Sequence, residues 1–105
     1  MKTQLRLAMV FAIAACTLPT FAQNTGAATY TSKCQMCHGA DGTGNTPAGK
    51  AMKVPSFLSP ATVKESNADL IAVTKNGKGK MPAYAGKLTD AEIKDAVAHV
   101  RTLQK

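Results

Sequence analysis

The stretch CQMCHG, Cys34-Gln35-Met36-Cys37-His38-Gly39, decides how the rest of this 105-residue chain is read. It spends two of the chain's three cysteines on a two-residue spacer and sets a histidine directly behind them. Three chemistries use such a run: covalent attachment of haem, a redox dithiol, or a metal clasp. The residues on either side have to choose between them.

Upstream, the chain opens MKTQLRLAMVFAIAACTLPTFAQ. Lys2 and Arg6 form a positive start, and Leu7 to Leu18 is an apolar run too short to span a bilayer comfortably. Pro19-Thr20-Phe21-Ala22 reads as a cleavage region, so residues 1–22 are expected to be a secretory signal peptide cut after Ala22. A rival is Ile13-Ala14-Ala15-Cys16, which has the form of a lipoprotein cleavage box with Cys16 acylated as a membrane tether. On either reading the mature protein lies outside the cytoplasm, and the periplasm is the expected compartment.

The remainder, residues 23–105, is one small domain. With Lys2 and Arg6 gone, the 13 basic residues fall to 11 against 6 acidic ones, a net charge of about +5. A domain this short usually needs a staple. The leader takes Cys16, leaving Cys34 and Cys37, and a disulfide between them would close too small a loop to constrain the unfolded chain much. Those two cysteines are better spent on a cofactor.

Downstream the pattern is helical, with no convincing strand. Residues 25–36 carry Ala27, Tyr30 and Cys34 at helical spacing. Residues 39–60 are dense in Gly, Pro, Ser and Thr and predict a loop, with a helical turn near residues 48–53. Ser66 with Asp69 predicts a helix start and Gly77 its end. NGKGKMPAYAGK, residues 76–87, predicts irregular structure. Thr89-Asp90-Ala91-Glu92 has the form of a capping box, and Ile93, Ala96, Val97, Val100 and Leu103 fall on one face of the helix it opens. Lys94, Asp95 and Arg101 are expected to turn away from that face.

This pattern weighs the three chemistries. A thioredoxin-like dithiol wants a βαβ setting, which is absent from the pattern. A closed zinc site wants four ligands, and beyond Cys34, Cys37 and His38 only His99 remains, inside a packed helix pattern. Two thiols on one helical turn can instead add to the two vinyl groups of a haem, with the adjacent imidazole reaching the iron from one face.

CHGADGTG after an amphipathic helix, GKGKMPAY further on and a final capped helix together resemble the small bacterial class I c-type cytochromes, the monohaem cytochromes c. The resemblance covers essentially the whole of residues 23–105. It implies an all-α cytochrome c fold, about three main helices plus short helical turns wrapped around one haem c, covalently attached through thioethers at Cys34 and Cys37. It also implies a His/Met pair of axial iron ligands, His38 and Met81. Of the other methionines, Met36 lies inside the attachment motif and Met52 is expected to fill core. The carbonyl of Pro47 is the implied acceptor for the second ring nitrogen of His38. Gly26 and Tyr30 match the crossing of first and last helices, and His99 reads as a packing residue. Phe57, Leu58, Leu70, Val73, Tyr84 and Leu88 are the expected pocket wall.

With both iron faces occupied, the implied function is one-electron transfer between redox proteins, with no catalytic residues. Lys75, Lys78, Lys80 and Lys87 cluster around the Met81 loop and predict a basic rim for partners with acidic docking surfaces. Nucleic acid is not an expected partner, because few aromatics are interleaved with the charges; the carrier is expected to act as a monomer. Two other readings stay open: an enzyme or sensor whose iron, free of Met81, meets peroxide or a small gas, and a non-haem thiol oxidoreductase.

Overall fold

Six helices are present in the computed structural model, which describes residues 25–105: α1 Thr25–Lys33, α2 Gln35–His38, α3 Pro47–Met52, α4 Pro60–Lys64, α5 Asn67–Asn76 and α6 Asp90–Leu103. The expected signal peptide, its Ala22 cleavage point and Cys16 lie outside the described residues. Among the described residues there is no strand, only isolated bridges pairing Lys78 with Met81 and Ala85 with Leu88. The architecture is the expected one: α1, α5 and α6 are the main helices, and α2, α3 and α4 are short turns between them.

The helix starts follow from local chemistry. Thr89 Oγ1 accepts the Glu92 N–H at 3.1 Å while Glu92 Oε1 accepts the Thr89 N–H at 3.0 Å, a complete capping box on α6. Ser66 caps α5 by accepting the Asp69 N–H at 3.0 Å, and Gly77, at φ 77°, ends it. Thr46 caps α3, where Pro47 supplies the pre-set first φ. Ser59 and Pro60 repeat that device for α4, a helix that the Gly/Pro-rich texture of residues 39–60 conceals.

The core lies where α1 crosses α6. Ile93, Ala96, Val97 and Val100 are buried along one face of α6, and Ile93 is fully enclosed. Burying an isoleucine side chain contributes about 1.5–3 kcal/mol relative to exposing it. Such a contribution matters because a nine-residue helix like α1 is marginal alone and holds its shape by packing. Gly26 makes the crossing close: a Cβ there would run into the Asp95 carbonyl. One turn on, Tyr30 is 1% exposed, lies 5.0 Å from the His99 ring, and donates its hydroxyl to the Gly39 carbonyl at 2.6 Å. His99 is therefore a packing partner, and the α1–α6 core is bolted directly to the loop behind His38.

One expectation needs correction here. Met52 is not core; it is 43% exposed at the end of α3. Arg101 is not among the buried residues of α6, and its guanidinium bonds sideways to Val63 in α4, to Glu65 just after it and to Asn67 at the start of α5.

Candidate haem site

Cys34 ends the regular part of α1, and the chain tightens into the single turn α2 that carries Cys37 and His38. This turn is held from beneath. The Gly44 N–H donates to the His38 carbonyl at 2.7 Å, and Thr46 Oγ1 donates to the Cys37 carbonyl at 3.0 Å. Gly49 on α3 fits only because it lacks a Cβ, which would strike the Cys37 and Gly44 carbonyls. The Phe57 ring stacks on the His38 imidazole, centroids 4.3 Å apart and planes 17° from parallel.

Opposite, the loop after α5 presents Met81. Lys78 and Met81 exchange both backbone bonds, at 3.1 and 2.9 Å, closing a tight turn. The Tyr84 and Ala85 N–H groups donate to the Thr74 and Lys75 carbonyls, fastening the loop to the end of α5. Tyr84 then reaches across, its hydroxyl donating to the Lys33 carbonyl beside Cys34 at 3.0 Å. That bond straps the Met81 loop to the attachment turn, a role beyond the wall position expected for Tyr84.

Between the two sides lies a cavity of about 340 Å³, within the range of cofactor pockets. Cys34, Cys37, His38 and Met81 all line it, with Phe57, Leu70, Val73 and Tyr84 among the expected wall. Leu58 and Leu88 are not part of that lining: Leu58 is 43% exposed, and Leu88 is buried away from the cavity. Met52, Val54, Pro55 and Pro82 take their place. Val54 and Pro55 follow α3 directly, where the sequence reads only as loop.

The electrostatics suit a held cofactor. Burial keeps the His38 imidazole below its ordinary titration range, so it is neutral at pH 7 with a free lone pair. Its Nδ1 is buried and has no hydrogen-bond partner among the described residues. The expected bond to the Pro47 carbonyl is thus not formed. Burial, then the proximity of Cys37, pushes the Cys34 thiol up. Reactive dithiols need the opposite, a depressed thiol pKa. Nor does any group of three or more His, Cys, Asp or Glu among the described residues form a site for a bare metal ion. A neutral imidazole, two thiols and a thioether thus face one largely apolar cavity, residue types that a covalently attached haem can use.

Comparison with known proteins agrees. A family model described as "Cytochrome C oxidase, cbb3-type, subunit III" matches residues 21–100. The chain is 32% identical over 75 residues to cytochrome c6 of Leptolyngbya boryana, spanning 71% of this chain and 85% of that one. It is 36% identical over 76 residues to cytochrome c6 of Synechococcus elongatus, spanning 71% and 83%. Among solved structures, the KustC0563 c-type cytochrome superposes with a TM-score of 0.70 at 30% identity, covering 76% of this chain and 98% of its own. The chain belongs to the small class I c-type cytochromes.

The rim of the cavity in this c-type cytochrome carries lysines. Lys78 and Lys80 border the cavity, as do Lys33 and Lys53, which the sequence reading did not single out. Lys53 is the one non-glycine residue with positive φ among those described, at 55°. Lys75 is drawn off to Asp90, its Nζ 3.1 Å from the carboxylate, and Lys87 lies over the Tyr84 ring.

Proposed function

We propose that this chain is an exported monohaem electron carrier, with haem c linked through thioethers at Cys34 and Cys37 and its iron held between His38 and Met81. The observation that carries the reading is the convergence of these four side chains on one apolar cavity, with His38 buried, neutral and stacked on Phe57. When bound, the haem iron supplies a one-electron Fe(II)/Fe(III) couple.

The protein's part is to hold and to exclude. Phe57 fixes the plane of the imidazole, and the bonds from Gly44 and Thr46 keep the attachment turn from swinging. The turn between Lys78 and Met81, tied to α5 and strapped by Tyr84, holds the thioether sulfur on the far side. Leu70, Val73, Val54 and Pro55 keep water out, which disfavours the extra charge of the ferric state and raises the reduction potential. A soft sulfur ligand acts in the same direction.

Lys33, Lys53, Lys78 and Lys80 around the cavity support docking onto acidic surfaces of a redox donor and acceptor. No helix among the described residues is long and apolar enough to cross a membrane. That fits a carrier released into the periplasm after cleavage at Ala22, and cell fractionation with N-terminal sequencing of the mature protein tests it.

Because Met52 and Met81 both line the cavity, the ligand assignment needs its own experiment. The ferric holoprotein is expected to show the weak far-red absorption band of methionine-bound haem. Met81→Ala should abolish that band, and Met52→Ala should keep it. The reverse pattern would move the ligand to Met52, and no band in the parent protein would favour an iron open to small molecules.

A further inference from the structure

The last turn of α6 and the residue that caps it carry two side chains that lie outside the cavity lining yet grip its wall. Arg101 donates from Nε to Asn67 Oδ1 at 2.8 Å, and its two terminal nitrogens donate to the Val63 carbonyl at 3.4 Å and to the Glu65 carbonyl. Arg101 also donates to Gln104 Oε1 at 2.9 Å, and Gln104 Nε2 in turn donates to the Phe57 carbonyl at 2.9 Å. The two residues therefore hold both ends of the segment 57–67.

That segment has little else to hold it. Helix α4 packs against no other helix among the described residues, and Leu58 and Val63 are 43% and 45% exposed. Apart from the Phe57 N–H, which donates to the Gly42 carbonyl, its remaining bonds are its own caps and turns. Yet the same segment puts Phe57 on His38 and places Thr62 and Glu65 at the cavity.

We propose that Arg101 and Gln104 are positioning residues that latch the segment 57–67 over the haem cavity, setting how much water reaches the cofactor and how firmly Phe57 holds His38. The inference rests on the haem reading above. Freeing the segment admits water, which stabilises the ferric charge and lowers the reduction potential. The guanidinium fork, not charge alone, is what grips three acceptors of the segment and Gln104 at once.

The test compares four holoprotein variants, Arg101→Gln, Arg101→Lys, Gln104→Ala and, as control, Thr89→Ala, which weakens α6 from its far end. Residue-resolved hydrogen exchange and the midpoint potential are measured on each. Arg101→Gln and Arg101→Lys should both speed exchange across residues 62–67 by about tenfold relative to α1, and both should lower the potential. Gln104→Ala should do the same around Phe57, and it decides the matter if the Arg101 variants do not fold. Thr89→Ala should loosen α6 without moving the potential. An Arg101→Lys variant that behaves as the parent would reduce the effect to charge and overturn the latch. So would segment exchange that rises no more than in Thr89→Ala, or a potential that stays fixed while the segment opens. A parent protein without haem would refute the functional reading, whereas the exchange measurement fails or supports the latch independently.

Discussion

Removing one oxygen atom from Tyr30 is the sharpest perturbation of the core. Tyr30→Phe keeps the ring, its contact with His99 and its place in the α1–α6 crossing, and deletes only the hydroxyl that donates to the Gly39 carbonyl at 2.6 Å. That carbonyl is not left bare, because the Gly42 N–H also reaches it at 3.2 Å. The cost is therefore that of one net hydrogen bond, about 1 kcal/mol, without the full penalty of an orphaned acceptor. For a domain of this size about 1 kcal/mol lowers Tm by about 4–8 °C. Tyr30→Ala, which also empties the ring's site, should cost about 3–5 kcal/mol, comparable with the whole stability of a marginal domain. Thermal melts of the holoprotein followed by far-UV circular dichroism would measure both. The titration adds a second readout. Chiefly through burial, the Tyr30 phenol is pushed above its ordinary range. Above about pH 10 the unfolded chain then releases a proton that the folded one keeps. The stability so contributed is complete below that pH and is lost as pH rises, and Tyr30→Phe should remove that part of the alkaline slope. A Tyr30→Phe protein with unchanged Tm, or one as damaged as Tyr30→Ala, would overturn the assignment of about one hydrogen bond's worth of stability to this hydroxyl.

Thr89→Ala, which breaks the capping box on α6, should cost about 1 kcal/mol in denaturant titration. The Glu92 carboxyl is held below its usual range by hydrogen bonds from the Thr89 backbone and side chain, so its stabilisation is present above the ordinary glutamate pKa and is lost as pH falls through the lowered one. The variant should show a shallower acid loss. For docking, the double variant Lys78→Glu, Lys80→Glu should slow electron exchange with an acidic redox partner in stopped-flow measurements and flatten its dependence on salt. Lys75→Glu should do less, because Lys75 is already paired with Asp90.

What could be read without coordinates was whatever chemistry lies close together along the chain. The spacing from Cys34 to His38, the caps at Ser66 and Thr89, and the periodicity of Ile93, Ala96, Val97 and Val100 each act within one or two turns, and the all-α fold follows from them. Helix α4 escaped because five residues carry no period and its Ser59-Pro60 signal sits in a loop-like composition. The grip of Arg101 escaped because helical periodicity reports only its own helix, while its acceptors lie 34 to 38 residues away. The same blindness put Met52 in the core and left Lys33 and Lys53 off the rim: Met52 and Lys53 depend on which way α3 faces once it is pinned beneath Cys37, and Lys33 on how the end of α1 meets the attachment turn. Clustering in sequence likewise counted Lys75 and Lys87 as rim, although Asp90 and the Tyr84 ring engage them.

The proposed function stands or falls on whether Cys34 and Cys37 carry haem. The most direct test is the visible spectrum, oxidised and then reduced, of protein made in a host with haem-ligation machinery and extracted with acid–acetone. Haem is expected to stay with the polypeptide and to give sharp low-spin bands on reduction. Colourless protein, from a host that matures a control cytochrome normally, would contradict it and return Cys34, Cys37 and His38 to thiol or metal chemistry.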